Sequence, residues 1–99
     1  MLIHTVIFWL KEGLNEDDRK TFFDGVEKLG LIKSVEHTFI GTPAKTPDRP
    51  VVDNTYDCAL TVVLSDLEQH DSYQVDPIHL NFINECAHLW EKVTIYDAD

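Results

Sequence analysis

Three residues carry side chains suited to acid–base chemistry, in settings that would tune them: His4, Tyr73 and His79. His79 follows the pair Asp76-Pro77. Aspartate is a favoured helix N-cap and proline is favoured at the first helical position, so the pair opens a helix. His79 then falls in the first turn, where backbone N–H groups are unpaired and the helix dipole is positive. A histidine in that field tends to stay neutral, and a neutral imidazole can remove an acidic C–H proton next to a carbonyl. Tyr73, six residues before His79, can donate its phenol proton to the enolate oxygen that such a step creates. His4 lies within an apolar run and needs a partner, because an unpaired buried polar group costs about 1–3 kcal/mol. It would hold His79 or a substrate in place. Asp76 works against a neutral His79, since a nearby carboxylate favours the imidazolium, and the net direction stays open. Each residue also has a purely structural reading. His79 can bond to Asp76 or a loop carbonyl, His4 can be a satisfied core histidine, and Tyr73 a packing residue with a wet tip.

The elements that must position these residues follow from periodicity. Leu2 to Leu10 (LIHTVIFWL) is too short for a typical helix and apolar on both faces, so it predicts a strand covered on both sides. Asn15 with Glu16, Asp17 and Asp18 starts a helix. Phe22, Phe23, Val26 and Leu29 form its apolar face, and Gly30 is the expected C-cap. Val35 to Ile40 predicts a second, more polar strand ending at Gly41. Thr42 to Asn54, with Pro43, Pro47 and Pro50, is a long connection in which Lys45 and Arg49 read as solvated loop charges. Tyr56 to Leu64 is a third, apolar strand, and Ser65-Asp66-Leu67-Glu68 is a capping-box pattern that begins a helix. Pro77 restarts that helix toward Leu89, and Glu91 to Asp97 closes with a fourth strand.

The order is β-α-β-β-α-β, an α+β, ferredoxin-like pattern in a single domain spanning residues 1–99. That topology puts the first and third strands in the centre, and they are the most apolar two. Helices cover one face of the sheet. Val6, Phe8, Leu60, Val62, Val93 and Ile95 are the candidates for the other, and an apolar face of that extent asks for a further layer. A second copy of the chain, packed sheet against sheet, is the simplest source.

Composition narrows the partners. The 99 residues are 43% hydrophobic and carry a formal charge of −10, which argues against nucleic acid and anionic membranes as partners. No apolar run is long enough to span a membrane. Met1 to His4 leads straight into the first strand without a basic n-region, so no signal peptide is expected. Cys58 and Cys86 have no close-spaced partner, which fits free thiols in a reducing cytoplasm better than a single bridge. His37, His70 and His88 show no ligand spacing and read as surface or packing residues, and Asp66, Glu68 and Asp71 as a solvated helix face. Neither a metal nor a cofactor is expected.

The chain resembles the stress-responsive dimeric α+β barrel (Dabb) family over essentially its whole length. The resemblance rests on His4 with the apolar run to Lys11, Val52-Asp53 followed by Tyr56-Asp57, Tyr73 with Pro77-x-His79, and Leu89-Trp90-Glu91-Lys92. It implies a homodimer with a pocket between sheet and helices in each subunit. Relatives of the olivetolic acid cyclase type close poly-β-ketones by aldol chemistry without a cofactor, and their working residues match His4, Tyr73 and His79. Two positions depart from the pattern. Asp76 stands where many members have histidine, and Val26 where the cyclase has a pocket tyrosine.

The combined expectation is a homodimer with a small apolar pocket lined by Phe23, Val26, Leu60, Val62, Trp90 and Ile95. His79 would take a proton from a small hydrophobic carbonyl compound, Tyr73 would stabilise the oxyanion, and His4 would orient base or substrate. Cyclisation or isomerisation would follow. Two alternatives stand beside it: a non-catalytic binding or structural dimer, and a haem-degrading monooxygenase of the same fold.

Overall fold

A computed structural model describes residues 1–99. Strands β1 (Leu2–Leu10), β2 (Val35–Gly41), β3 (Cys58–Leu64) and β4 (Trp90–Ala98) form one antiparallel sheet in the order β2-β3-β1-β4. Helix α1 (Glu16–Lys28) joins β1 to β2, and α2 (Leu67–Val75) and α3 (Pro77–Cys86) join β3 to β4. The two most apolar strands are central, as expected for a ferredoxin-like α+β domain. No helix is long and apolar enough to cross a membrane.

Side-chain parity holds, but the covered face is the opposite of the one expected. Val6, Phe8, Leu60 and Val62 are buried beneath the helices, in a core with Phe22, Val26, Tyr73 and Phe82. Val93 and Ile95 share that face through their pairing with Phe8 and Val6, but lie on edge strand β4, beyond full helix cover. The bare face carries Ile3, Thr5, Ile7 and Trp9 of β1, with Ala59, Thr61 and Val63 opposite. Alternation fixes which residues share a face; it does not say which face the helices take.

The helix ends also sharpen. Asn15 caps α1 by accepting from the Asp18 N–H at 2.8 Å. Gly30 is not its C-cap: the chain tightens into a 3-10 turn, Leu29–Leu31, without a left-handed residue. Gly13, at φ +81°, supplies the one left-handed position, in the turn after β1. Asp66, rather than Ser65, caps α2 through the Gln69 N–H at 2.9 Å.

The proline-rich connection reaches Asp57 and is pinned to the end of β1. Trp9 Nε1 donates to Thr55 Oγ1 at 2.9 Å, and the Leu10 N–H donates to Asp57 Oδ2 at 2.7 Å. Lys45 and Arg49 are exposed. Cys58 and Cys86 are free buried thiols, and burial pushes Cys58 up to about 12.

Candidate functional site

Asp76 ends α2 and starts α3 in one residue. Its backbone is extended (φ −63°, ψ 138°), and its Oδ1 accepts from the Ile78 N–H at 2.8 Å. Pro77 follows as the first helical residue. The kink points Tyr73, in the last turn of α2, and His79, in the first turn of α3, into the same space: their ring centroids are 4.9 Å apart. Replacing Asp76 with alanine removes the cap and is expected to cost about 1 kcal/mol. A thermal melt of Asp76→Ala matching the parent would show that the cap does not hold the kink.

His4 approaches Tyr73 from below, from the centre of the sheet, with ring centroids 5.6 Å apart. The tyrosine therefore stands between the two histidines. All three border one cavity of about 130 Å³. Its other walls are mostly apolar and include Phe8, Leu60, Phe82, Trp90, Val93 and Ile95. Of the lining expected from sequence, Leu60, Trp90 and Ile95 are on this wall. Val26 and Val62 are fully buried elsewhere in the core, and Phe23 packs half-buried against Phe22; none of these three borders the cavity. A wider cleft of about 450 Å³ opens between α1 and α3, lined by Lys28, Asn81 and Glu85 among others. It contains no histidine, and Phe82 walls it off from the smaller cavity.

Two residues that do not line the cavity contact His4 from outside it, and the sequence did not point to either. The His4 Nδ1 lies 2.5 Å from Asp97 Oδ1. A carboxylate accepts, so Nδ1 carries the proton and Nε2 is left as an acceptor. The pairing satisfies the buried His4 as expected, but by a residue of β4. Strand register could have found it, because His4 and Asp97 are direct cross-strand partners. The second is His70, whose ring lies 5.3 Å from that of His4 and whose Nε2 is 3.8 Å from Asp97 Oδ2. Its signal was the helical spacing to Tyr73, three residues on.

Electrostatics separate the roles. Burial pushes the Tyr73 phenol upward, so it is a neutral hydrogen-bond donor throughout the physiological range. Burial is also the largest influence on His79 and lowers it below the ordinary histidine value. Hydrogen bonding with the Gln74 backbone and the charge of Asp76 push the other way but do not prevail. The net direction is downward, which favours the neutral ring. His79 Nδ1 is buried and has no hydrogen-bond partner.

A four-stranded antiparallel sheet with helices on one face, enclosing a cavity bordered by two histidines and a tyrosine, defines a ferredoxin-like domain with a candidate acid–base site. The chain belongs to the Dabb family, the stress responsive A/B barrel domain, whose family model matches residues 2–99. No curated protein sequence matches it significantly. Among solved structures, a protein from Arabidopsis thaliana is similar with a TM-score of 0.82 at 17% identity, covering 100% of this chain and 94% of its own. A Dabb family protein from Mesorhizobium loti gives 0.78 at 24% identity, covering 99% and 94%. A hydroxynitrile lyase from Passiflora edulis gives 0.79 at 17% identity, covering 98% and 90%. Other proteins of this fold are described as dimeric and ferredoxin-like.

Proposed function

We propose that this domain is a cytoplasmic homodimer that performs cofactor-free proton transfer on a small carbonyl compound. The observation that carries the reading is the meeting of His4, Tyr73 and His79, from three separate elements, on one mostly apolar cavity. His79, kept neutral by burial, takes the proton from the carbon beside the carbonyl. The neutral Tyr73 hydroxyl donates to the oxyanion as it develops. His4, fixed in one tautomer by Asp97, presents Nε2 as an acceptor that orients the hydroxyl or the substrate. The enolate then takes a proton back at another carbon, which is isomerisation, or attacks a second carbonyl, which is aldol closure.

Cavity size limits the substrate. A dry cavity of about 150 Å³ holds benzene, so about 130 Å³ suits a molecule of roughly six non-hydrogen atoms. That is too small for a haem and for an extended poly-β-ketone. A hydroxynitrile lyase of the same fold is compatible with this reading, since cleaving a hydroxynitrile also needs a base beside a nascent carbonyl. The homodimer is supported by the dimeric description of several proteins of this fold and by the partly apolar bare face of the sheet. The free thiols fit a reducing cytoplasm.

The test needs no knowledge of the natural substrate. Cyclopentanone in D2O reports enolisation directly, as deuterium incorporation followed by NMR. Exchange above the buffer rate is expected from the parent protein. Tyr73→Phe removes only the hydroxyl and should slow exchange about 10²–10³-fold, the usual loss for one oxyanion donor. A parent protein that never exceeds buffer would leave a non-catalytic binding or structural dimer as the reading.

A further inference from the structure

We propose that His4, His70 and Asp97 form a zinc site on the outer side of the cavity. One ligand atom from each lies within 4.8 Å of the others. The three come from β1, α2 and β4, so folding alone assembles them. Two imidazoles and one carboxylate are a donor set that suits zinc better than magnesium or calcium, which prefer all-oxygen shells. Zinc–nitrogen and zinc–oxygen bonds of about 2.0–2.2 Å place ligand atoms on one tetrahedral ion roughly 3.4 Å apart. The gap between His70 Nε2 and Asp97 Oδ2 is 3.8 Å, so little closure is needed there.

The orientation of His70 is the second observation. Its Nδ1 lies 3.4 Å from Asp71 Oδ1, a carboxylate that can only accept, so Nδ1 carries the proton. The Gln74 side-chain amide, 3.5 Å from Nε2, donates to the other nitrogen. With Nδ1 protonated, the single in-plane lone pair of the neutral ring is on Nε2, 3.8 Å from Asp97 Oδ2, and a metal ion bound there would take the place of the Gln74 contact. Metal-bound histidines characteristically donate their second ring N–H to a carboxylate, as His70 does to Asp71. Access is graded: the His4 side chain is 3% exposed, that of His70 18% and that of Asp97 42%. The ion would be anchored on a buried imidazole, with its remaining position open to water.

Binding has a consequence for the reaction. Zinc on His4 Nδ1 displaces the hydrogen bond to Asp97, and the single ring proton moves to Nε2. That nitrogen changes from acceptor to donor, so zinc and the proposed proton transfer exclude one another. This consequence rests on the proposed role of His4; the metal site does not.

The experiment is calorimetric titration of zinc chloride into the EDTA-treated full chain. One ion per chain is expected, with an X-ray absorption shell of nitrogen and oxygen and no sulphur. His70→Ala should weaken binding about 100-fold, and Asp71→Asn about tenfold. His70→Gln keeps the bulk of the side chain if alanine disturbs α2, and His37→Ala should change nothing. Absence of saturable binding, a sulphur shell, or unchanged affinity in the folded His70 variants overturns the site. Deuterium exchange by the parent should be suppressed by zinc, and exchange by His70→Ala should resist it. Zinc binding with exchange undiminished keeps the site and removes the assigned role of His4. Parent protein without exchange removes the proposed reaction, while calorimetry still decides the site.

Discussion

Replacing His79 with alanine should reduce deuterium exchange about 10²–10⁴-fold, the range typical of losing a general base, with the fold retained. His79 is only half-buried, at the start of α3, and its Nδ1 makes no hydrogen bond, so alanine gives up the contact with the Gln74 backbone near the end of α2. Its titration supplies a second readout. Burial lowers the folded-state value below the ordinary 6.5. The base form therefore persists into mildly acid solution, and the acid limb of exchange against pH should fall below 6.5, not above it. Stability follows the same displacement with a definite sign. Above about 6.5 the ring is neutral in both states and costs nothing. As pH falls below that value the unfolded chain gains a proton that the folded chain resists, so stability declines until the folded ring also charges. His79→Ala should flatten that part of the stability curve. An acid limb above 6.5, or exchange by His79→Ala equal to the parent's, would falsify the assignment of His79 as the base.

Much of this site was readable because its signals are local. Asp76-Pro77 specifies a helix start by capping and by proline geometry, and both act within a few residues. His79 therefore had to lie in a first turn, and Tyr73 one kink away. Asp97 was invisible for the opposite reason. It lies near the end of an edge strand, and it acquires meaning only from the register that sets it opposite His4. His70 was masked in the same way: α2 has no clear apolar face, so spacing from Tyr73 alone did not show that both rings point at the sheet. The exchanged sheet faces have a related cause. Ile3, Ile7 and Trp9 are as apolar as Val6 and Phe8, so β1 alone does not choose between the two sets. The stronger signal is on β3, where Cys58, Leu60, Val62 and Leu64 alternate with the less apolar set Ala59, Thr61 and Val63, and it bears on β1 only once register sets the two strands side by side.

The bare face leads to the other large effect, on assembly. Ile7 sits mid-strand on β1, between Ala59 and Thr94 on the neighbouring strands, and faces away from the helices. Ile3 and Val63 share the surface, while Phe39 and Tyr96, 62% and 65% exposed, flank it on the two edge strands. Large exposed aromatics around a central apolar strip suit a sheet-on-sheet interface. In the proposed dimer, Ile7→Glu buries an unpaired charge at the centre of that interface, which costs about 3–5 kcal/mol. The dissociation constant should rise at least about 10²-fold, measured by sedimentation equilibrium. Ile7→Thr, uncharged and β-branched, should weaken the dimer far less and serves as the control for strand stability. A parent chain already monomeric at micromolar concentration, or an Ile7→Glu dimer of parental strength, would place the interface elsewhere. The same variant separates assembly from chemistry. Ile7 and His4 project from opposite faces of one strand, and the cavity lies wholly on the helix side. The Ile7→Glu monomer should therefore keep the His4–Asp97 pair and continue to exchange deuterium; loss of exchange with dimerisation would show that the partner copy completes the site.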